Sequence, residues 1–348
     1  MTTTTTQQMH ASTADLINAL GEVHAQPLWD RYQRVTRRVP AAPDAPLCWP
    51  WAVMEPLVQR AIQEVGLEEA ERRVLLLTHP AFGGAAATTT NLSAGVQTLL
   101  PGETARAHRH TIQAIRFVME GQGAVTRVND HHCAMDEGDL VLTPAWTWHE
   151  HTHPGSGRVV WFDGLDLPLC AHLDTMFFEM SEPGKSSVDP TPTRAPALRP
   201  NAATLAPDAF DLRNPGNSRY RYAWERAAQA LQAAAPDTDG SRLLRYVDGD
   251  SRGAVAPTLD CYLLHCTAGL PTRRYRSSSN AVCVVARGQG QSRVGDSTID
   301  WRRNDVFSLP HWNWISHTAA SDEALIFMMT DRELLASLGY LREEDSVA

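Results

Sequence analysis

Histidine placement constrains this chain more than any other feature. His108-Arg109-His110 opens one strand-like run, and His149-Glu150-His151 closes another, with His153 just beyond. Seven of the 14 histidines fall between Pro101 and Pro154. Gly121-Gln122-Gly123 and Glu137-Gly138-Asp139 lie between the two groups and read as turns. A β-strand sends alternate side chains to one face, so His108 and His110 can both point inward, and so can His149 and His151. Two such strands facing each other across a small barrel gather three or four imidazoles, a donor set suited to iron, zinc, copper or nickel. The competing reading is a row of exposed strand histidines.

The spacing separates the two readings. Gly102 is followed by five residues and His108-x-His110, then ten residues to Gly121; later come Gly138, five residues, Pro144 and His149. This resembles the two-part signature of the cupin superfamily, whose fold is an all-β core of double-stranded β-helix barrels. That signature usually supplies a Glu shortly after the second His. Here Ala114 holds the position, and no acid lies between His110 and Glu120. The resemblance therefore implies His108, His110 and His149 as three neutral ligands, with positions left open. Counting by twos from His110 puts Ile112, Ala114, Arg116 and Val118 on the ligand face. A buried guanidinium is costly unless an anion pairs with it. Asp163, on the expected strand Val159–Asp163, or a substrate carboxylate can serve, and a guanidinium holds a carboxylate in fixed orientation.

A second copy of the pattern sits downstream. Residues 277–317 align with residues 110–151: Gly288-Gln289-Gly290 with Gly121-Gln122-Gly123, Asp305 with Asp139, Pro310 with Pro144, and Trp312 and Trp314 with Trp146 and Trp148. The chain is therefore expected to be a bicupin. Opposite His108, His110 and His149 stand Tyr275, Ser277 and Ile315, and Cys283 stands opposite Arg116. Only His317 persists, matching His151. The second barrel is thus expected to hold no metal, leaving one site per chain, with His317 a strand-end histidine.

Ahead of the barrels, residues 1–11 are polar and expected to be disordered. Ala14 to about Gln33 carries Leu16, Leu20, Val23 and Leu28 at roughly helical spacing. Val39 to Pro50 is a proline-rich extended connector. Trp51–Val65 is a helix with Val53, Leu57 and Ile62 on one side, and Arg72–Leu77 is the first strand. A Pro/Ala-rich linker near residues 183–208 and a helix around Tyr222–Ala235 join the barrels. The expected division is a helical arm over 1–70, a metal-binding barrel over 71–182, linker and helix over 183–240, and a metal-free barrel over 241–348.

Composition narrows the class. At 348 residues and 43% hydrophobic content, the chain can bury two cores. A net charge of −9 without a basic stripe argues against nucleic acid. The six cysteines form no CxxC pair, which suits reduced thiols in the cytoplasm. No signal-peptide pattern or membrane-length apolar run is visible. Trp146, Trp148, Trp161, Trp312 and Trp314 are expected to face away from the ligands, His131-His132 to sit solvated in a turn, and His153 to be a loop residue.

ETARAHRHTIQAIRFVMEGQG, GDLVLTPAWTWHEH, VVWFDGLDLP and DRELLASLGYLREE together resemble the gentisate 1,2-dioxygenase family, which includes salicylate and 1-hydroxy-2-naphthoate dioxygenases. The resemblance runs from the helical arm through both barrels. It implies iron ligands at His108, His110 and His149, a carboxylate-binding arginine at Arg116, and supporting groups at His151 and Asp163. It also implies a substrate-contacting arginine at Arg72, with Arg73 as the alternative, and a pocket lined by Gln97 and Gly95. It suggests a homotetramer. Ser93 stands where the family carries Trp or Tyr, and Gly95 where Ala is common, so both are expected to enlarge the pocket. The implied activity is Fe(II)-dependent cleavage, with O2, of a salicylate-type ring between its carboxyl- and hydroxyl-bearing carbons. Gentisate and 5-substituted salicylates such as 5-nitrosalicylate share the chelating carboxylate and ortho-hydroxyl. His151 is placed to take the hydroxyl proton or steady reduced oxygen, unless it is a core histidine held by a backbone carbonyl. A non-oxidative metal cupin (isomerase or decarboxylase) and a metal-free binding cupin are the readings against which this is weighed.

Overall fold

The turn glycines carry backbone that other residues resist. Gly121 lies at φ +87°, Gly138 at +89° and Gly288 at +79°, and a Cβ at Gly121 or Gly288 would collide with the carbonyl oxygen of Arg158 or Glu323. The alternating runs between such turns close into antiparallel sheets. A computed structural model describes residues 3–182, 203–205 and 219–346. It divides into two units, residues 1–41 and 42–348.

The first unit holds helices Thr3–Glu22 and Leu28–Val35. The sequence pointed to a disordered tip followed by one helix to Gln33, and both expectations are corrected. No Pro or Gly interrupts residues 3–20, so the helix extends back to Thr3. Pro27 then breaks it, lacking the N–H that an uninterrupted helix needs there.

The second unit contains both barrels. In the first, a six-stranded sheet runs Arg221–Tyr222, Leu140–Thr143, Ala114–Glu120, Val159–Leu165, Ser93–Leu99, Arg73–Leu76. It faces a five-stranded sheet ordered Phe178–Met180, Thr104–His110, His149–Thr152, Ala124–Val128, His131–Met135. The second barrel repeats the plan with a seven-stranded and a five-stranded sheet built mostly from residues 242–345.

Two short strands cross the expected boundaries. Cys48–Trp49, inside the proline-rich connector, pairs with Val306 and Phe307 of the second barrel. Arg221–Tyr222, from the segment between the barrels, pairs with Leu140 and Val141 of the first. Within the expected linker, Ala203–Leu205 pairs in parallel with Leu244–Tyr246; most of the linker lies outside the described residues. The helix after it spans Trp224–Ala233.

One apolar core spans both barrels, with Phe117 of the first stacked on Phe327 of the second at 4.3 Å between ring centroids. Helix Trp51–Glu64 packs on this core through Trp51 and Val58, with Met54 and Ile62. That corrects the expected Val53–Leu57 face, which is exposed. Trp51 sets the rotation: its backbone N–H donates to Asp305 at 2.6 Å and its indole to Glu120 at 2.9 Å. No described helix is long and apolar enough to cross a membrane, and the described cysteines are free thiols.

Candidate metal centre

The antiparallel register between Thr104–His110 and His149–Thr152 places His108 directly opposite His149. Ring centroids are 4.1 Å apart for His108 and His149, 4.9 Å for His110 and His149, and 5.2 Å for His108 and His110. All three rings are buried, and their nitrogens converge within 4.8 Å of one another. They are the one group of this kind among the described residues.

Ring orientation is set by the backbone. His110 Nδ1 lies 2.9 Å from the Ile112 carbonyl and His149 Nδ1 lies 3.0 Å from that of Thr147. Each Nδ1 therefore carries the proton and donates it, leaving Nε2 with a free lone pair. His149 Nε2 is buried with no hydrogen-bond partner. Burial, reinforced by nearby guanidinium charge, pushes His108 down to about 2 and His110 down to about 4, and holds His149 well below the ordinary imidazole range. Three neutral imidazoles whose nitrogens converge, two of them with Nε2 left free by a backbone carbonyl at Nδ1, fit a first-row transition metal.

Across the barrel from the imidazoles stands Arg116. Its Nε lies 3.3 Å from Asp163 Oδ1 as an ion pair, unaligned for a hydrogen bond, and its Nη1 donates to Thr143 Oγ1 at 2.5 Å. Asp163 is directly opposite Arg116 in the sheet. Its burial raises the carboxyl to about 6, against the lowering effect of Arg116 and of a hydrogen bond from Trp161. Arg72 is the second guanidinium: Nη2 reaches 2.5 Å from His108 Nδ1 and donates to Arg106 O at 2.7 Å. Arg73, the alternative, turns away and is used up by an ion pair with Glu103 and a hydrogen bond to Val65 O. Burial and the charge of Arg116 lower Arg72 to about 10. Two guanidiniums thus face the site against one carboxylate.

Gln97 lies directly opposite Trp161, and Gly95 directly opposite Asp163, so both share the wall that faces the imidazoles, as does Ser93 by alternation. Gln97 Nε2 is buried without a partner. The room left by Gly95 is taken by Val74 and Leu76: a Cβ there would meet Val74 Cγ1 at 2.8 Å and Leu76 Cδ2 at 3.6 Å. This corrects the expectation that Gly95 by itself widens the pocket.

His151 is fully buried, its Nδ1 2.8 Å from Thr126 Oγ1 and its Nε2 without a partner. A hydroxyl rather than a backbone carbonyl orients it. The second barrel keeps this arrangement, with His317 Nδ1 2.7 Å from Ser292 Oγ and also fully buried, so His317 is a core group and not a strand-end histidine. At the equivalents of the triad histidines, Tyr275 pairs with Ile315, and Cys283 faces Met328 where Arg116 faces Asp163.

Trp161 was misplaced by the sequence reading. It is fully buried inside the first barrel, its Nε1 donates to Asp163 Oδ1 at 3.1 Å, and its ring centre is 5.4 Å from that of His151. Alternation back from Asp163 carried the signal. His131 and His132 begin a strand rather than sitting in the turn, and His131 packs edge-on against Tyr220. His153 lies past the strand, bonded to Gly157 O at 2.6 Å.

Two cupin barrels, one of them holding a histidine triad that can bind a metal, define the class: a metal-site bicupin. Residues 95–166 match the family described as Cupin domain. Over 321 residues the chain is 34% identical to a gentisate 1,2-dioxygenase of Aquipseudomonas alcaligenes, covering 91% of this chain and 92% of that one. A 5-aminosalicylate 1,2-dioxygenase of Comamonas is 31% identical, covering 93% and 88%. The crystal structure of salicylate 1,2-dioxygenase from Pseudoaminobacter salicylatoxidans, as an adduct with gentisate, superposes with a TM-score of 0.82 at 28% identity, covering 97% and 94%. The chain belongs to the gentisate and salicylate 1,2-dioxygenase family of ring-cleaving dioxygenases.

Proposed function

We propose that this enzyme uses one Fe(II) per chain and O2 to open the ring of a salicylate-type acid, gentisate or a 5-substituted salicylate such as 5-nitrosalicylate. The cleaved bond joins the carboxyl- and hydroxyl-bearing carbons. The observation that carries the reading is the charge balance at the site: three unprotonated imidazoles, two guanidiniums and a single carboxylate. Such a site attracts an anion next to a metal. Relatives named for gentisate and 5-aminosalicylate support the substrate class.

In this reading His108, His110 and His149 hold the metal. Iron, when bound, supplies a redox centre able to share electrons with dioxygen and an electron-rich ring, which zinc lacks. Arg116 and Arg72 bind the substrate carboxylate, and Gln97 offers its unpartnered amide to the same ligand. Asp163 keeps Arg116 in place. His151 is neutral; with Thr126 Oγ1 donating to Met135 Sδ, His151 Nδ1 donates to that hydroxyl, and the partnerless Nε2 accepts the proton of the ortho-hydroxyl. Ser93 and Gly95 form the wall next to the ring substituent. Residues 71–182 carry the chemistry and residues 241–348 serve as a metal-free scaffold. Exposed Leu173, Phe177 and Phe178 suit an assembly of several chains, a homotetramer by family resemblance.

The test is oxygen uptake by anaerobically Fe(II)-loaded protein across gentisate, salicylate, 5-substituted salicylates and 1-hydroxy-2-naphthoate, with His108→Ala as control. One O2 consumed per substrate, with loss of the aromatic absorbance, is expected. Bound iron without uptake on any of these acids would sink the proposal and favour a non-oxidative cupin reaction.

A further inference from the structure

The second barrel has no histidine triad, yet it reaches the wall of the first barrel's site through a device that the internal repeat duplicates. Asp166 and Asp331 occupy equivalent positions, each just ahead of a short helix (Leu167–His172 and Arg332–Ser337). Both are buried, at 3% and 1% exposure. Each uses one carboxylate oxygen within its own barrel: Asp166 Oδ1 accepts from Gln113 N at 2.8 Å, and Asp331 Oδ1 from Asn280 N at 2.7 Å. Each sends the other oxygen across to its neighbour. Asp166 Oδ2 accepts from Thr258 Oγ1 at 2.5 Å, and Asp331 Oδ2 from Asn91 Nδ2 at 2.8 Å and Asn280 Nδ2 at 3.0 Å.

The two latches are symmetric in construction and unequal in consequence. Thr258 leads into Asp260–Thr267, a strand of the barrel without the triad. Asn91 lies two residues before Ser93 and four before Gly95, on the wall that faces the imidazoles. The turn carrying Asn91 is a closed unit. Thr88 N and Thr89 N donate to Leu92 O at 2.9 and 3.0 Å, Thr88 Oγ1 donates to Leu77 O at 2.6 Å, and Ala94 N donates to Thr88 Oγ1 at 2.8 Å. These bonds tie the turn to the strand that follows it, and the Asn91 side chain is where the second barrel holds it. A buried carboxylate is costly unless its lone pairs are taken by donors. Here the donors are amides whose positions Asp331 in turn fixes.

We propose that Asp331 is a positioning residue for substrate selection: acting through Asn91, it sets the placement of the Ser93–Gln97 wall and with it the preference among ring substituents. This rests on the reading of that wall as substrate-facing, and the test separates the two. Asn91→Ala, Ser93→Ala and Asp331→Asn are compared as Fe(II)-loaded protein. The readouts are anaerobic dissociation constants for gentisate and 5-nitrosalicylate, the ratio of kcat/KM for the two acids, iron content and thermal midpoint. Small displacements at a reacting site change rates disproportionately, so Asn91→Ala is expected to shift the preference ratio about 5-fold or more. Iron content is expected to stay near wild type, while the midpoint falls modestly because Asp331 Oδ2 keeps only the Asn280 donor. Asp331→Asn should shift the ratio in the same direction; if it does not fold, Asn91→Ala decides alone. If Ser93→Ala moves the ratio and Asn91→Ala leaves it unchanged, the latch is not a selectivity device although the wall is substrate-facing. If neither moves it, both readings fall.

Discussion

Trp161 joins three of the site's groups without being a ligand to any metal. Its indole N–H donates to Asp163, Asp163 pairs with Arg116, and its ring packs on His151. Without the indole donor, the Asp163 carboxyl would rise further from its already elevated position near 6, because that hydrogen bond is one of the influences holding it down. More of it would then be protonated at neutral pH, leaving Arg116 with weaker compensation. Trp161→Phe is accordingly expected to move the acid limb of the pH–activity profile to higher pH. It should also cost about 1–2 kcal/mol of stability for the lost buried hydrogen bond. An acid limb identical to wild type would remove Trp161 from the site's electrostatics. The convergence of His108, His110 and His149 and the inward side of Arg116 were legible because strand alternation and turn spacing fix which face a side chain takes. Trp161 obeys the same alternation, two residues before Asp163, and was misread because tryptophan suggests packing. The choice between Arg72 and Arg73 lay beyond the sequence, since it depends on Glu103 capturing one of them.

At the scale of elements, the Trp-x-Trp pair of each repeat proves to be half of a clamp. Arg109 lies between Trp146 and Trp148, 4.4 and 4.7 Å from their ring centres, and pairs with Glu179 at 2.8 Å. Arg276 repeats this with Trp312 and Trp314 at 4.5 and 4.7 Å, and with Glu344. Both clamps fasten a late edge strand against an earlier one. In the first barrel that edge strand is Phe178–Met180, with Phe178 opposite His110 and Met180 opposite His108. The tryptophans could be aligned from sequence; their arginine and glutamate partners come from strands whose pairing only the folded chain reveals. Arg109→Ala and Arg276→Ala should each lose about 1–2 kcal/mol of stability. Only Arg109→Ala should also release iron faster to a chelator, by roughly tenfold, since groups that support ligands tune metal affinity on that scale. Equal release rates from the two variants would show that the clamp does not support the ligand strand. Helix boundaries in the arm followed local chemistry, with Pro27 the breaker. The buried face of Trp51–Glu64 did not, because apolar residues line more than one side and Trp51's bonds to Asp305 and Glu120 choose among them.

Across the whole molecule, the repeat keeps the frame of the site in both barrels, while the histidine triad stands in one of them. Thr126–His151 in the first barrel corresponds to Ser292–His317 in the second, each a buried imidazole with a hydroxyl at Nδ1 and a bare Nε2. In the first barrel this histidine's ring centre is 6.0 Å from that of His149; in the second, Ile315, Cys283 and Met328 belong to one core cluster with Tyr275 packed against it. The replacement of the triad by Tyr275, Ser277 and Ile315 was readable from the alignment, whereas the shared core joining the barrels was not, because it depends on which outer faces meet. His317 shows what keeping a buried imidazole costs. Burial lowers it to about 4 from an ordinary 6.5, so between those values the unfolded chain binds a proton that the folded one does not. Stability from this residue is therefore fully present above about pH 6.5 and is lost as pH falls toward 4. At about 1.4 kcal/mol per unit, the loss between pH 7 and pH 5 comes to about 2 kcal/mol. His317→Asn keeps an amide to bond Ser292 and removes the titration. The variant should be the less stable protein at pH 7, and its deficit in urea unfolding should shrink by about that amount at pH 5. Parallel curves at the two pH values would mean that the second barrel opens enough to let His317 protonate within the folded state.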